Sequence, residues 1–157
     1  MGRWRGFTLI ELLVTLAIIS ILGALTVPMA QVIAQRDKEQ ELRRALREVR
    51  DAIDAYKRAV DEGVVEVATG GSGYPFNLDM LANGVSSRID SKARKVYFLR
   101  KIPRDPMADR ADIEPAATWG KRSFSSEAAD PREGEDVFDI YSMSVKVGLN
   151  GVPYREW

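Results

Sequence analysis

The stretch that decides the fold is FTLIELLVTLAIISILGALTVPMA, residues 7–30, in which Glu11 is the only ionisable side chain. A helix of this length approaches what is needed to cross about 30 Å of hydrocarbon at roughly 1.5 Å per residue. The stretch is longer than the apolar region of a secretory signal, and no convincing small-residue cleavage site follows it. The pattern therefore predicts a membrane-spanning helix.

A short basic segment, GRWRG at residues 2–6, precedes this stretch, and the rest of the chain is densely charged. Cationic residues beside a span stay on the cytoplasmic side, so Arg3 and Arg5 predict a cytoplasmic N-terminus with the bulk of the chain outside. Lys+Arg and Asp+Glu both number 23. This balance argues against nucleic-acid binding, which needs a basic excess on one face.

The chain has 157 residues, which suits one compact domain plus an extension, and it contains no Cys and no His. Disulfides, Ser-His and Cys-His nucleophilic pairs and the usual structural zinc sites are therefore excluded. Chemistry based on carboxylates, Lys or Tyr stays open, but no catalytic motif stands out. We expect a protein without catalytic residues, bound cofactor or metal.

Glu11 interrupts the apolar stretch, and a carboxylate inside a membrane helix costs about 2.5–3.5 kcal/mol on insertion scales. Such residues usually face a partner. Glu11 also lies close to the cytoplasmic end of the predicted span, where its side chain can reach the interface. From the residues alone, both interpretations stay open.

Beyond residue 30 the helical periodicity continues but becomes one-sided. Apolar residues recur at steps of three and four on an otherwise charged helix. These residues are Leu42, Leu46, Val49, Ile53, Tyr56 and Val60. Gly63 is a plausible stop. Pro28 lacks an N–H and clashes with the preceding turn, so we expect a kink in the helix at this position. Two interpretations stay open: the kink helps subunits pack in a filament, or it has no function.

The remainder, residues 63–157, predicts a small antiparallel sheet packed on the amphipathic helix, an α+β head. Three segments are strand candidates, at 119–124, 137–141 and 152–157. Residues 137–141 are rich in β-branched and aromatic side chains, and Asn150-Gly151 favours a hairpin turn before the last segment. A short helical piece is expected near residues 78–81. Residues 96–99 fit a strand or a helix end equally well.

The string Gly6-Phe7-Thr8-Leu9-Ile10-Glu11 resembles the processing site of type IV prepilins and type II secretion pseudopilins. The resemblance implies that a prepilin peptidase cuts after Gly6 and methylates the new N-terminal Phe7. Glu11 is then the fifth residue of the mature chain and Pro28 matches the family's proline. The resemblance also implies that Glu11 pairs with the Phe7 amine of a neighbouring subunit and sets the register of a filament.

Head landmarks follow the order seen in the major, G-type pseudopilins. They are Tyr74-Pro75, Ile102-Pro103-Arg104-Asp105-Pro106, Trp119-Gly120 and Phe138-Asp139-Ile140-Tyr141-Ser142. The resemblance implies a pilin fold with a leader (1–6), a transmembrane and assembly half of the helix (7–30), an amphipathic half (31–62) and a periplasmic head (63–157). It implies a single-pass inner-membrane protein with a cytoplasmic N-terminus, which later enters a periplasmic filament.

The partners implied are copies of the same chain, the prepilin peptidase, other pseudopilins, the inner-membrane assembly platform and the lipid bilayer. A pilin or minor pilin of a type IV pilus or DNA-uptake system is the nearest alternative, since it shares the first thirty residues. The second alternative is a membrane-tethered periplasmic enzyme, which would need a pocket with convergent polar groups.

One family feature is missing. G-type pseudopilins commonly bind calcium in an acidic loop after the strand that here is 138–142. The corresponding residues 143–151 contain no carboxylate and include Lys146. Calcium prefers six to eight oxygen ligands, usually including carboxylates, so no calcium site is expected there. We expect Asp139 to belong to the strand or to cap a turn.

Overall fold

The structure is a computed structural model that describes residues 6–157 except 67–70, 90–93 and 111; the side chains of residues 24–28 also lie outside the described part. The chain forms two compact units, Met1–Asp37 and Lys38–Trp157. The boundary between the units falls inside a single helix, α1, which comprises Leu9–Asp61.

The C-terminal end of α1 is a Schellman motif. The Val64 N–H donates to the Ala59 carbonyl at 2.8 Å and the Gly63 N–H donates to the Val60 carbonyl at 2.9 Å. Gly63 has φ 72°, in the left-handed region that favours glycine. The predicted stop at Gly63 is confirmed.

The apolar stripe of α1 forms one wall of the core of the second unit. Leu42, Leu46, Val49, Ile53 and Tyr56 are all buried, as the periodicity predicts. Val60, at the end of the stripe, is only partly buried. The rest of the core comes from residues of the head: Val65, Leu78, Leu81, Leu99, Met107, Trp119, Val137, Ile140 and Tyr154.

The head is built from short elements. Helix α2 is Asp79–Asn83, and the two-residue strands β1 (Val85–Ser86) and β2 (Lys95–Val96) pair antiparallel. A 3-10 turn at Pro115–Thr118 leads into β3 (Trp119–Arg122), which pairs antiparallel with β4 (Asp139–Ser142). The fold is α+β with a long N-terminal helix, as predicted, but the described strands form two small sheets rather than one.

Strands β3 and β4 lie close together at Gly120. Gly120 is opposite Tyr141, and a Cβ at Gly120 would lie 2.3 Å from the Tyr141 ring. The glycine therefore lets the aromatic ring cross the neighbouring strand. Both strands are shorter than predicted: β3 ends at Arg122 rather than at residue 124, and β4 begins at Asp139 rather than at residue 137.

The predicted last strand at 152–157 is wrong. Residues Tyr154–Glu156 form a 3-10 turn, and only an isolated bridge joins Val147 to Pro153. Pro153 has no N–H for a ladder, and the Trp157 carbonyl oxygen accepts a 2.8 Å hydrogen bond from Arg50 on α1 instead of one from a strand. The tight turn is also displaced, since the Gly151 N–H donates to Gly148.

In the first unit, α1 exposes its apolar side chains. The ten large apolar residues between Leu9 and Leu22 are 52% to 77% exposed. Among the residues that the structure describes, no helix combines the length and the apolar character needed to cross a bilayer. The helix continues through Pro28, whose side chain is outside the described part. The span at 7–30 and the kink at Pro28 stay predictions.

Candidate processing and assembly site

The predicted cleavage position lies at the exposed start of α1. Gly6 and Phe7 precede the helix, and the Phe7 side chain is 79% exposed. A Cβ at Gly6 would meet no atom within 4 Å. The peptide bond between the two residues is therefore open to a large partner from the side of Gly6.

Thr8 and Glu11 form a capping box at the start of α1. The Glu11 N–H donates to the Thr8 hydroxyl at 3.3 Å, and the Thr8 N–H donates to a Glu11 carboxylate oxygen at the same distance. The Thr8 hydroxyl also lies 3.4 Å from that oxygen. Two helix N–H groups that would lack partners are thus satisfied, and the carboxylate lies where the helix dipole favours negative charge.

Three of the four predicted site residues, Gly6, Phe7 and Glu11, are close together in the sequence at the start of α1. The capping box holds the Glu11 carboxylate beside the N–H of Thr8, the residue that follows Phe7. Pro28 is far along α1 and is not part of this group. The capping box was not predicted from the sequence, although Thr-x-x-Glu in front of an apolar run is its known pattern.

A second polar centre, also missed, holds the C-terminal loop of the head. Glu39 on α1 is 4% exposed. Its carboxylate accepts hydrogen bonds from the Leu149 N–H at 2.8 Å and from the Tyr154 hydroxyl at 2.9 Å. The loop that follows β4 is thus held by a carboxylate from α1. Nothing in the local sequence around Glu39 distinguishes it from the charged residues beside it.

Asp139 belongs to β4, as one of the two sequence interpretations predicted. Its carboxylate pairs with Arg50 at 2.8 Å and with Arg122 at 3.6 Å. Two arginines beside a carboxylate occupy the oxygens that a cation would need. Within the described residues, no three or more Asp, Glu, His or Cys side chains are grouped to hold a metal ion.

Asp105 is the buried acid of the head. It accepts hydrogen bonds from the Ser142 hydroxyl at 2.6 Å and from the Met107 N–H at 2.8 Å. Burial raises the pKa of Asp105 above its ordinary value, and the two hydrogen bonds offset this only in part. The Asp105 N–H in turn donates to the Thr118 hydroxyl, at the end of the 3-10 turn that leads into β3. This acid connects the Pro-rich segment to the second sheet.

Comparison with known proteins agrees with the site at the start of α1. Residues 5–27 match a family model described as the prokaryotic N-terminal methylation motif. This match places the first residues of the chain with proteins that carry an N-terminal methylation motif.

One curated relative extends the comparison to the head. The chain is 26% identical over 145 residues to the type II secretion system core protein G of Aeromonas hydrophila, with 92% of this chain and 95% of the relative covered. No solved structure gives a significant match. The resemblance to the type IV pilin-like family, and to the G-type pseudopilins within it, is confirmed.

Proposed function

We propose that this chain is a structural subunit of a periplasmic pseudopilus that drives type II protein secretion. The observation that carries the proposal is the accessible Gly6–Phe7 bond beside the Thr8–Glu11 capping box, at the start of a helix whose apolar side chains are exposed. A subunit of this kind is cut at one end, stored in a membrane and then assembled through its helix. The proposal assigns no catalytic residue.

Before assembly, residues 7–30 lie across the inner membrane with the N-terminus in the cytoplasm and the head in the periplasm. The exposed apolar side chains between Leu9 and Leu22 support this, because water is a poor solvent for so large an apolar surface. The basic segment at residues 2–6 supports the orientation. In the filament, the same side chains pack against the helices of neighbouring subunits.

Processing removes residues 1–6 and leaves Phe7 with a free α-amine, which the same peptidase methylates. Such an amine is cationic or partly so near neutral pH. In the proposed assembly step it pairs with the Glu11 carboxylate of the next subunit, in surroundings from which water is excluded. An ion pair in such a place is costly to break, because the remaining charge is left buried.

The first experiment tests processing. Coexpression with a prepilin peptidase should shorten the chain by residues 1–6, and mass spectrometry should find N-methylated Phe7. Gly6→Ala should slow the cut because the peptidase of the family that the string resembles cuts after a glycine, whereas Gly2→Ala, the matched change within the leader, should not. Assembled material that keeps Met1 would contradict the proposal.

The second experiment separates the two roles of Glu11. Glu11→Leu removes both the capping box and the proposed ion pair, whereas Thr8→Ala removes the capping hydroxyl and leaves the carboxylate. Loss of a cap costs about 1 kcal/mol, and an unpaired buried charge costs about 3–5 kcal/mol. We therefore expect Glu11→Leu to abolish filaments and Thr8→Ala to reduce their yield moderately.

Cleavage should be nearly normal in both variants, because the scissile bond lies outside the ion pair. Glu11→Asp should give an intermediate yield, since its charge is kept but its reach is shorter. Normal filaments from Glu11→Leu would show that Glu11 only reaches the membrane interface. Equal losses from Glu11→Leu and Thr8→Ala would show that it only caps the helix.

A further inference from the structure

One concave surface of the head combines exposed rings with carboxylates. This aromatic groove has a volume of about 380 Å³, and its floor includes Tyr56, Tyr74, Phe76 and Phe124. Tyr74 stacks on Phe124 with ring centroids 5.6 Å apart, which fixes the two rings. Phe76 and Phe124 are 52% and 59% exposed. Exposed rings held in a concave surface mark an interaction site.

The rim of the aromatic groove is acidic. Glu66 and Glu135 line it, and both are exposed. In the part of the chain that the structure describes, neither has a hydrogen bond or ion pair. A rim of free carboxylates above aromatic rings suits a cationic side chain, and especially the flat guanidinium of arginine, which stacks on rings and binds carboxylates.

A third acid of the rim, Asp136, has a structural role. It accepts hydrogen bonds from the Ser123 hydroxyl at 2.6 Å, the Phe124 N–H at 2.9 Å and the Ser72 hydroxyl. Burial alone would raise the pKa of Asp136, but these three donors outweigh it and lower the pKa. Asp136 therefore keeps its negative charge through its own hydrogen bonds, and one cation of the same head, the Lys57 Nζ, already lies 5.8 Å from the Tyr74 ring centroid.

The same head carries a second, mostly cationic surface, here called the arginine ridge, where Arg43, Arg47 and Arg50 edge a pocket that Trp157 and Glu156 also line. Arg43 lies 4.3 Å from the Trp157 ring and Arg50 binds Asp139, so both are held in place. Arg47 is exposed, and within the described residues it has no hydrogen bond or ion pair. It is one turn beyond Arg43 on the same face of α1.

Arg47 cannot enter the groove of its own head. Tyr56, on the groove floor, lies further along α1 by roughly 13 Å at 1.5 Å per residue, and it belongs to the buried face whereas Arg47 is exposed. The two surfaces can meet only between different copies. The balance of 23 cationic and 23 anionic residues lets copies attract one another without a net charge to repel them.

We propose that the arginine ridge of one copy docks in the aromatic groove of another, with Arg47 between the rings and the carboxylates of Glu66 and Glu135. A contact between two different surfaces of the same subunit is heterologous, and when its rotation does not close into a ring it repeats as an open filament. This inference rests on the proposed function, since it describes a contact between heads in the pseudopilus.

The chain contains no Cys, so introduced cysteines report contacts without background. Full-length subunits carrying Arg44→Cys and Glu133→Cys, which are exposed neighbours of Arg47 and Glu135 and leave both of those residues in place, should give a ladder of dimers and larger species when assembled and treated with a short bis-maleimide cross-linker. A disulfide needs Cα atoms within about 7 Å, closer than an arginine and a glutamate come when they pair through their long side chains, so the longer cross-linker is used. Arg44→Cys with Glu114→Cys is the matched control, because Glu114 is exposed and does not line the groove.

Charge reversal tests whether the contact contributes to assembly. Arg47→Glu or Glu135→Arg alone places like charges together and should lower filament yield about tenfold. Both changes in the same chain restore opposite charges and should recover most of the yield. Arg100→Glu and Glu114→Arg, the same reversals elsewhere on the head, should change the yield less than about twofold. Thermal melts of the variants should match the original chain, because surface changes rarely alter folding.

The possible results separate this contact from the function on which it rests. A specific ladder together with recovery in the double variant supports the docking. Filaments that form normally without the ladder, and that tolerate both reversals, overturn the docking and leave the proposed function standing. A cross-link from residue 133 to a different protein overturns the pairing between copies and assigns the groove to that partner. Absence of any filament from the original chain overturns both.

Discussion

Glu39→Ala should strongly destabilise the head. Its nearly buried carboxylate accepts hydrogen bonds from the buried Tyr154 hydroxyl and from the part-buried Leu149 N–H. Hydrogen bonds to charged groups contribute about 1.5–3 kcal/mol each to stability, and a buried donor left without a partner costs the full free energy of removing it from water. The Leu149 N–H can regain water more easily than the tyrosine. We therefore expect the free energy of unfolding to fall by about 3–4 kcal/mol.

The measurement is urea unfolding of the fragment 31–157, followed by circular dichroism and extrapolated linearly to water. Glu39→Gln keeps an acceptor of the same shape and should lose only about 1–1.5 kcal/mol. Glu41→Ala is the matched control, because Glu41 is on the same helix, exposed and, among the described residues, without a partner; it should change stability by less than about 0.5 kcal/mol. A Glu39→Ala fragment as stable as the Glu41→Ala fragment would refute the reasoning.

Three further predictions concern the head. Deleting residues 1–30 should give a soluble monomer, because it removes the exposed apolar helix surface; an aggregated or unfolded fragment by sedimentation and circular dichroism would refute this. Thermal melts with calcium and with chelator should nearly coincide, and a large rise with calcium would point to ligands in 130–136. Because burial raises the pKa of Asp105, its charged form costs stability as pH rises through the folded pKa. Asp105→Asn should therefore gain stability relative to the original chain as pH rises from the ordinary aspartate pKa of 3.8 through the raised pKa of folded Asp105. A stability difference that is constant with pH would exclude this effect.

Local patterns predicted the elements whose cause is local. The stripe from Leu42 to Tyr56 is read directly from helical periodicity, and Gly63 ends the helix through its own backbone freedom. The strand at 139–142 follows from the β-branched and aromatic composition of residues 137–141, whereas 119–122 has no β-branched residue and was predicted from the segments that bound it. Composition did not predict where these strands begin and end. The Phe138 N–H, for example, donates to the Arg122 carbonyl although Phe138 lies just before β4.

Elements that depend on distant partners were missed or wrong. Whether 152–157 becomes a strand or a 3-10 turn depends on Arg50, which binds the Trp157 carbonyl oxygen from α1. Strand β1 has two residues and exists only through its pairing with β2. Sequence patterns carry no information about such pairings.

The residues of the candidate site were also predictable only where their cause is local. Gly6, Phe7 and Glu11 form a contiguous string, so resemblance found them at once. The capping box between Thr8 and Glu11 was equally local and could have been found from its spacing. Glu39 could not, because only its contacts with Leu149 and Tyr154 distinguish it from other charged residues on α1.

The bonds that anchor the C-terminal segment on α1 also govern how the head folds. They join residues 107 to 115 positions apart, between Arg50 and Trp157 and between Glu39 and Tyr154. Ordering so long an intervening chain is slow, because its entropy is lost before the contacts that compensate for it can form. During synthesis α1 is made before residues 154–157, which contact it. A nascent chain therefore carries an incompletely covered α1 stripe until residues 154–157 have left the ribosome, and throughout that interval the stripe is a surface that a chaperone can hold.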